Sequence, residues 1–367
     1  MDGRIWTRRT FVSALGAAAV VAPRVSAVAS SSTGVSSGGK YRAFVGASDG
    51  SLAAYRVDGG RWTPVGDAVA VGSPRGLALH PTLAVLYATD AVDGHGNRPR
   101  GSVAAFRVTS AGLEKINVEG TALSSTGPSH LSVVDDMLLV SAAGGGAYNA
   151  FSLAGDGAIL PVQASLKQIG FGPHVSQETA SPHASVVGEL GAYSSDLGAD
   201  RVNHLVFADG LVRVASKVSL PAGSGPGHLA LAGTRLVVAS RLRPGLTVLP
   251  VDAATGRLET ALHHLELAMA EAGPLVAIGD RVYVAGVDRA GETVVASFGL
   301  SSGGRLRALQ VISAAGAGKP EQMVAGDGEL LLAGAGGVTR VPVVGGRLGE
   351  ASVVLKKAGA VSLVVAG

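Results

Sequence analysis

Pro226–Leu258 reads PGHLALAGTRLVVASRLRPGLTVLPVDAATGRL. A Pro in a small-residue turn leads into the apolar segment His228–Ala232, and a Gly-Thr gap separates this from Leu236–Ser240. A second turn opens Leu246–Val251, and Gly256-Arg257-Leu258 steps into a fourth segment. Short apolar runs bounded by Gly, Pro, Asn and Asp turns read as β-strands. About 45 residues therefore hold four short strands.

The same order recurs along the chain. Pro74, Pro128, Pro182, Pro226, Pro274 and Pro320 follow one another at intervals of 54, 54, 44, 48 and 46 residues. Second strands are expected at Val85–Ala88, Met137–Ser141, Leu236–Ser240, Arg281–Ala285 and Glu329–Ala333. Third strands are expected at Ser102–Val108, Val202–Phe207, Leu246–Val251 and Thr293–Phe298. Lead-ins to fourth strands recur as Gly112-Leu113-Glu114, Gly256-Arg257-Leu258 and Gly346-Arg347-Leu348. A repeat of this length with four strands is the signature of a propeller blade. Tyr41–Val71 lacks a first strand, and Ala360–Ala366 (AVSLVVA) is a lone apolar segment. Joining the two closes the ring and removes its exposed edges. The sequence thus predicts an all-β, seven-bladed β-propeller of four-stranded blades over residues 41–367, closed by the C-terminal strand. A β-sandwich with repeats is the alternative. No long stretch keeps apolar residues at helical spacing. The best helix candidate, Thr260–Ala270, stands where a fourth strand belongs and is read as strand or loop.

Composition agrees with a chain of many turns. Hydrophobic residues make up 47%, charged residues 16% and aromatics 4% of 367 residues, with 54 Gly and no Cys. Residues 1–29 carry Thr7-Arg8-Arg9-Thr10-Phe11-Val12, the apolar run Ser13–Ala22 and the small residues Ala27-Val28-Ala29. A twin arginine, a short apolar core and a small-residue cleavage site predict a Tat-type signal peptide. The run is too short to span a bilayer, so no membrane anchor is expected after its removal. Ser30–Lys40 is expected to be a flexible linker. Residues 1–29 hold Arg4, Arg8, Arg9 and Arg24 against Asp2, a net of +3, which equals the charge of the whole chain. The mature protein is then near neutral, which argues against a nucleic-acid surface. A periplasmic or extracellular monomer acting on a small molecule is expected.

Residues in the turn into each first strand crowd round one mouth of the central channel. The two residues after each Pro are Arg75-Gly76, Ser129-His130, His183-Ala184, Gly227-His228, Leu275-Val276 and Glu321-Gln322. Three of the nine histidines fall in these positions, a polar ring suited to a small-molecule site. The plain reading of His130 and His228 is that they bond blade-linking backbone; His183, one position earlier in its turn, is the stronger candidate for chemistry. His174 is a candidate support for it. His80, His95, His263 and His264 read as loop residues. No His-x-His, His-Glu-x-x-His or EF-hand pattern occurs, so neither metal nor cofactor is expected. No Gly-x-Ser-x-Gly elbow is present.

Gln177, Pro182-His183 and the block Asp196-Leu197-Gly198-Ala199-Asp200-Arg201-Val202 resemble the seven-bladed propeller family of bacterial 6-phosphogluconolactonases and fungal carboxy-muconate cyclases. Gly144–Gly146, Gly172-Pro173, Gly225-Pro226, His228-Leu229-Ala230 and Asp252–Leu258 extend the resemblance over the mature chain. It implies a lactonase fold with a catalytic His at His183. The chain departs from the family pattern at Gly227, where an Arg is usual, and at Ser240-Arg241, where Asn-Glu is usual. It departs also at Ser176 and at Ser185.

Opening a lactone needs a base for water and a cation or donor for the developing oxyanion. His183 is the expected base, and Arg241 is the expected source of the positive charge, with Arg75 or Gln177 as alternatives. Gln177, His228, Arg241, Arg75, His130 and Glu321 are the expected substrate-binding residues. The ring positions lack a Lys/Arg cluster for a phosphate, so a sugar-type or carboxylate lactone is expected. The competing reading is a non-catalytic secreted propeller that binds a ligand or partner. It gains if Arg241 points to solvent and loses if His183, Gln177, His228 and Arg241 converge.

Overall fold

The structure, a computed structural model, describes residues 40–208 and 210–367. The expected signal peptide and all of the expected linker except Lys40 lie outside the described residues. The first strand begins at Lys40.

Seven antiparallel sheets stand in a ring, each running outward from a channel-lining strand. Blades 2 to 7 begin with inner strands Leu77–Leu79, Pro128–Val134, Pro182–Gly188, Pro226–Ala232, Glu271–Ile278 and Pro320–Gly326. Blade 1 takes its inner strand from the C-terminus: Ala360–Ala366 pairs antiparallel with Lys40–Ala47. The closing strand buries Leu363 and Val365, and the Ser362 hydroxyl donates to the Pro74 carbonyl of blade 2. In place of the helix candidate, His263–Glu266 forms the outer strand of blade 5, with loop on either side.

The second and third strands are buried along nearly their whole length and successive side chains point to opposite faces, so each blade buries one face against the previous blade and one against the next. The result is seven separate core clusters, one per blade interface. Phe44, Leu52, Leu86 and Phe106 join blades 1 and 2, and Val237, Val248, Val282 and Val284 join blades 5 and 6. The fourth-strand lead-in glycines have a second role. Tyr87, Tyr193 and Tyr283, on the second strands of blades 2, 4 and 6, donate to the carbonyls of Gly157, Gly256 and Gly346 in the following blade. All three glycines have positive φ, between 68° and 86°, which a side chain would strain.

In each blade the start of the inner strand lies beside the end of the second: Pro182 pairs with Asp196, and Pro226 with Ser240. The turns into the inner strands and the turns after the second strands therefore share one end of the channel. Blade 6 is different. Its inner strand starts at Glu271, Ala272 pairs with Gly286, and the register then shifts before Leu275. Ala272, not Pro274, is the counterpart of Pro182 and Pro226. Pro274 sits in the irregular stretch, where its missing N–H breaks no ladder bond. Leu275 is accordingly core, and Val276 packs against the next interface. The sequence reading that placed both at the mouth is corrected.

Candidate active site

His183 and His228 lie on neighbouring inner strands with ring centroids 5.5 Å apart, edge to face. Arg241, first residue after the second strand of blade 5, lies beside His183, its Nη1 3.3 Å from His183 Nε2. An arginine only donates, so Nε2 is the acceptor and the ring proton belongs on Nδ1. Gly227 makes this approach possible. A Cβ built on it would lie 2.7 Å from both Cγ and Cδ of Arg241, and 3.6 Å from His183 Cδ2. The arginine stem thus passes over the bare glycine backbone, through space that any side chain at 227 would fill.

The other end of the guanidinium is held from blade 6. Arg241 Nη2 donates to Glu271 Oε1 at 2.6 Å, while Lys319 Nζ, before the Pro of blade 7, lies 2.8 Å from Glu271 Oε2. Burial opposes ionisation of Glu271, but its bonds to Lys319 and Arg241 outweigh that and hold its carboxyl below the usual range. His130 lies on the blade 3 strand beside His183, with Nδ1 3.1 Å from Ser185 Oγ and 3.3 Å from Ser185 N; Ser185 Oγ is 2.9 Å from Ser132 Oγ.

Burial makes all three histidines poor cations. It brings His130 down to about 4. It brings His183 to about 3, with the charges of Arg241, His130 and Arg75 adding to the effect. His228 falls well below its ordinary value through burial, then through His183, Arg241 and His130. The mouth therefore holds three neutral imidazoles. Arg75 is exposed but close enough for its charge to act on His183.

The remaining expected residues stand apart. Gln177 is fully buried, and its Nε2 donates to the Leu197 carbonyl and to Asp200 Oδ1, both at 2.7 Å. It braces a turn and does not join His183, His228 and Arg241. Asp200, in the left-handed region at φ 48°, also accepts from the Gly223 and Gly225 amides, fixing the turn that delivers His228. Asp196 accepts from the Ser181 amide and from Arg201, fixing the turn that delivers His183. The Asp196–Val202 block is thus the frame of the site. His174 is exposed and bonds Ser176, so it gives His183 no support. Glu321 is half-buried and forms no ion pair among the described residues. Its neighbour Gln322 accepts from the Leu363 amide of the closing strand.

Glu271 and Lys319 were not among the expected residues. Both occupy the position before the Pro or its counterpart, whereas the sequence comparison took the positions after it and started blade 6 from Pro274. Arg241 and Lys319 share the Glu271 carboxylate, a pair of cations outside the ring positions compared in the sequence. Among the described residues no group of three or more His, Cys, Asp or Glu is placed to hold a metal ion, and no helix is long and apolar enough to cross a membrane.

The family model described as Lactonase, 7-bladed beta-propeller matches residues 39–335. The chain is 27% identical over 169 residues to the 6-phosphogluconolactonase of Bacillus subtilis (strain 168), covering 44% of this chain and 46% of the relative. The match thus spans about half the length of that relative. A Bacteroides uniformis protein provisionally assigned as a 6-phosphogluconolactonase superposes with a TM-score of 0.80 at 17% identity, covering 89% of this chain and 99% of the other. The periplasmic gluconolactonase of Pseudomonas aeruginosa superposes with a TM-score of 0.75 at 21% identity, covering 89% of this chain and 99% of the other. At these identities the two structures speak for the fold alone.

Proposed function

The chain belongs to the seven-bladed β-propeller lactonase family, and from that membership we propose that it hydrolyses a small sugar-type or carboxylate lactone at the channel mouth. The observation that carries this reading is Arg241 lying over Gly227 with its guanidinium against His183. The positive charge missing from position 227 is supplied from position 241. The competing reading, a non-catalytic scaffold, expected Arg241 in solvent; its contact with His183 supports the lactonase reading, while Gln177 stands apart.

The lactone carbonyl oxygen is placed at Arg241 Nη1, which leaves His183 Nε2 free to accept a proton from water. The water oxygen bonds to the carbonyl carbon as its proton passes to Nε2, and Arg241 stabilises the negative charge on the carbonyl oxygen. Collapse breaks the ring C–O bond, and the proton on His183 passes to the leaving alkoxide to give the hydroxy acid. Base and cation are both side chains, so the reaction as written uses no metal ion. We read the mature chain as a monomer exported by the twin-arginine segment, and its substrate as a lactone met outside the cytoplasm.

The test is release of acid from a panel of aldonolactones and muconolactones, with and without a chelator. Wild-type turnover above the spontaneous rate, insensitive to chelator and lost in His183→Ala, is expected. A panel on which the folded protein does nothing overturns the proposal.

A further inference from the structure

Two cations at a channel mouth would ordinarily mark a site for a phosphate or carboxylate, since charge-assisted bonds to such groups are strong. Here both already have an anion. Glu271 gives one oxygen to Arg241 at 2.6 Å and the other to Lys319 at 2.8 Å. The three histidines beside them carry no charge. The cluster therefore has two positive charges against one fixed negative charge, and Arg241 directs a second N–H at His183.

An anionic substrate at these cations either displaces Glu271 or binds beside it through their other N–H groups. In either case the carboxylate, tethered to the inner strand of blade 6, stays beside the incoming anion. Like charges held at that range repel each other. An uncharged lactone meets no such obstacle. It needs one donor for its carbonyl oxygen, which Arg241 Nη1 provides while Nη2 stays with Glu271. Side chains that donate and accept, such as His130, Ser185 and His228, suit hydroxyl groups on the same molecule.

We propose that Glu271 determines substrate class at this site, by occupying Arg241 and Lys319 so that the mouth accepts uncharged, hydroxyl-bearing lactones and disfavours those carrying phosphate or carboxylate. The proposal rests on the lactone-hydrolase reading and narrows it. Glu271 also orients Arg241, because it fixes one end of the guanidinium while the other faces the reacting centre.

The test compares kcat/KM for glucono-δ-lactone and for its 6-phosphate, at low salt, in the wild type and in Glu271→Gln. Glutamine keeps an oxygen for Arg241 and removes the charge. The wild type is expected to favour the uncharged lactone. In the variant the ratio is expected to move toward the phosphate ester by about tenfold or more, the effect of one unit charge at contact range near a protein surface. Thermal melting confirms that both proteins are folded. A wild type that favours the phosphate ester, or a ratio unchanged by the substitution, overturns the proposal. If the wild type opens neither lactone, the hydrolase reading fails on its own. The claim about Glu271 is then decided by calorimetry with 6-phosphogluconate: tighter binding to the variant supports it, and equal binding overturns it.

Discussion

Replacing Gly227 by Ala adds one methyl group at the point where the site is most tightly built. The new Cβ would stand 2.7 Å from Arg241 Cγ and Cδ, where carbon atoms ordinarily rest at about 3.5–4.0 Å. The arginine stem must therefore withdraw by about 1 Å, enough to carry its guanidinium off His183 and Glu271. Misplacing a reacting group by that distance costs about 100-fold in rate, and losing a donor to the oxyanion costs about 100- to 1,000-fold. Stability should hardly change. Gly227 is not among the residues with positive φ, so Ala fits the backbone and gains about 0.4–1 kcal/mol from a stiffer unfolded chain. Against that stands the loosened pair of Arg241 and Glu271, whose side chains are 23% and 29% exposed. A pair so placed is worth about 1 kcal/mol or less. We expect kcat/KM for lactone opening to fall about 100-fold while the unfolding midpoint in urea stays within about 1 kcal/mol of wild type. A Gly227→Ala protein with full activity would refute the reasoning. So would one that loses activity only because it unfolds.

A return toward the family pattern tests the same packing. Gly227→Arg should crowd Arg241, and Arg241→Glu should place a carboxylate beside Glu271. The double substitution should be more active than either single one in a double-mutant cycle. Gln177→Ala should lower stability by about 1–3 kcal/mol, because the half-buried Leu197 carbonyl loses its side-chain donor and buried Asp200 loses one of several, with kcat/KM of the folded fraction unchanged. The neutral histidines make stability depend on pH. The unfolded chain takes up protons as pH falls below about 6.5, while His130 and His183 stay neutral in the fold down to about 4 and about 3. Each therefore removes about 1.4 kcal/mol of stability per pH unit once pH is well below 6.5. Urea midpoints at pH 7 and pH 5 should show the fall, and His130→Asn should make it shallower. Activity needs His183 unprotonated, so turnover should hold as pH drops from 7 to 5 instead of declining near 6.5; a decline there in the folded enzyme would place the base elsewhere.

The fold was legible because its punctuation is regular. A Pro-led turn, a second strand and a Gly-x-Leu step recur at blade spacing, and the structure assigns each a physical task. The glycines of the last step take positive φ and three of the fourth-strand turns receive a tyrosine from the preceding blade. The meeting of His183, His228 and Arg241 was legible for the same reason, since position in the module fixes position at the mouth. Two features were not. Pro274 resembles the other prolines in sequence but stands two residues later in register, in an irregular stretch that only strand pairing reveals. That offset hid Glu271 and placed two core residues at the mouth. Gln177 misled in the opposite way. It belongs to the most specific block of the chain, but its amide ties Leu197 and Asp200 together, so that block frames the histidines without touching the space between them.

The account stands most directly on Arg241. In Arg241→Ala, kcat/KM for the preferred lactone should fall about 100- to 1,000-fold, with the protein still folded, and added guanidinium chloride should restore part of the rate where equal sodium chloride does not. An Arg241→Ala protein that opens the lactone as fast as the wild type would contradict the account.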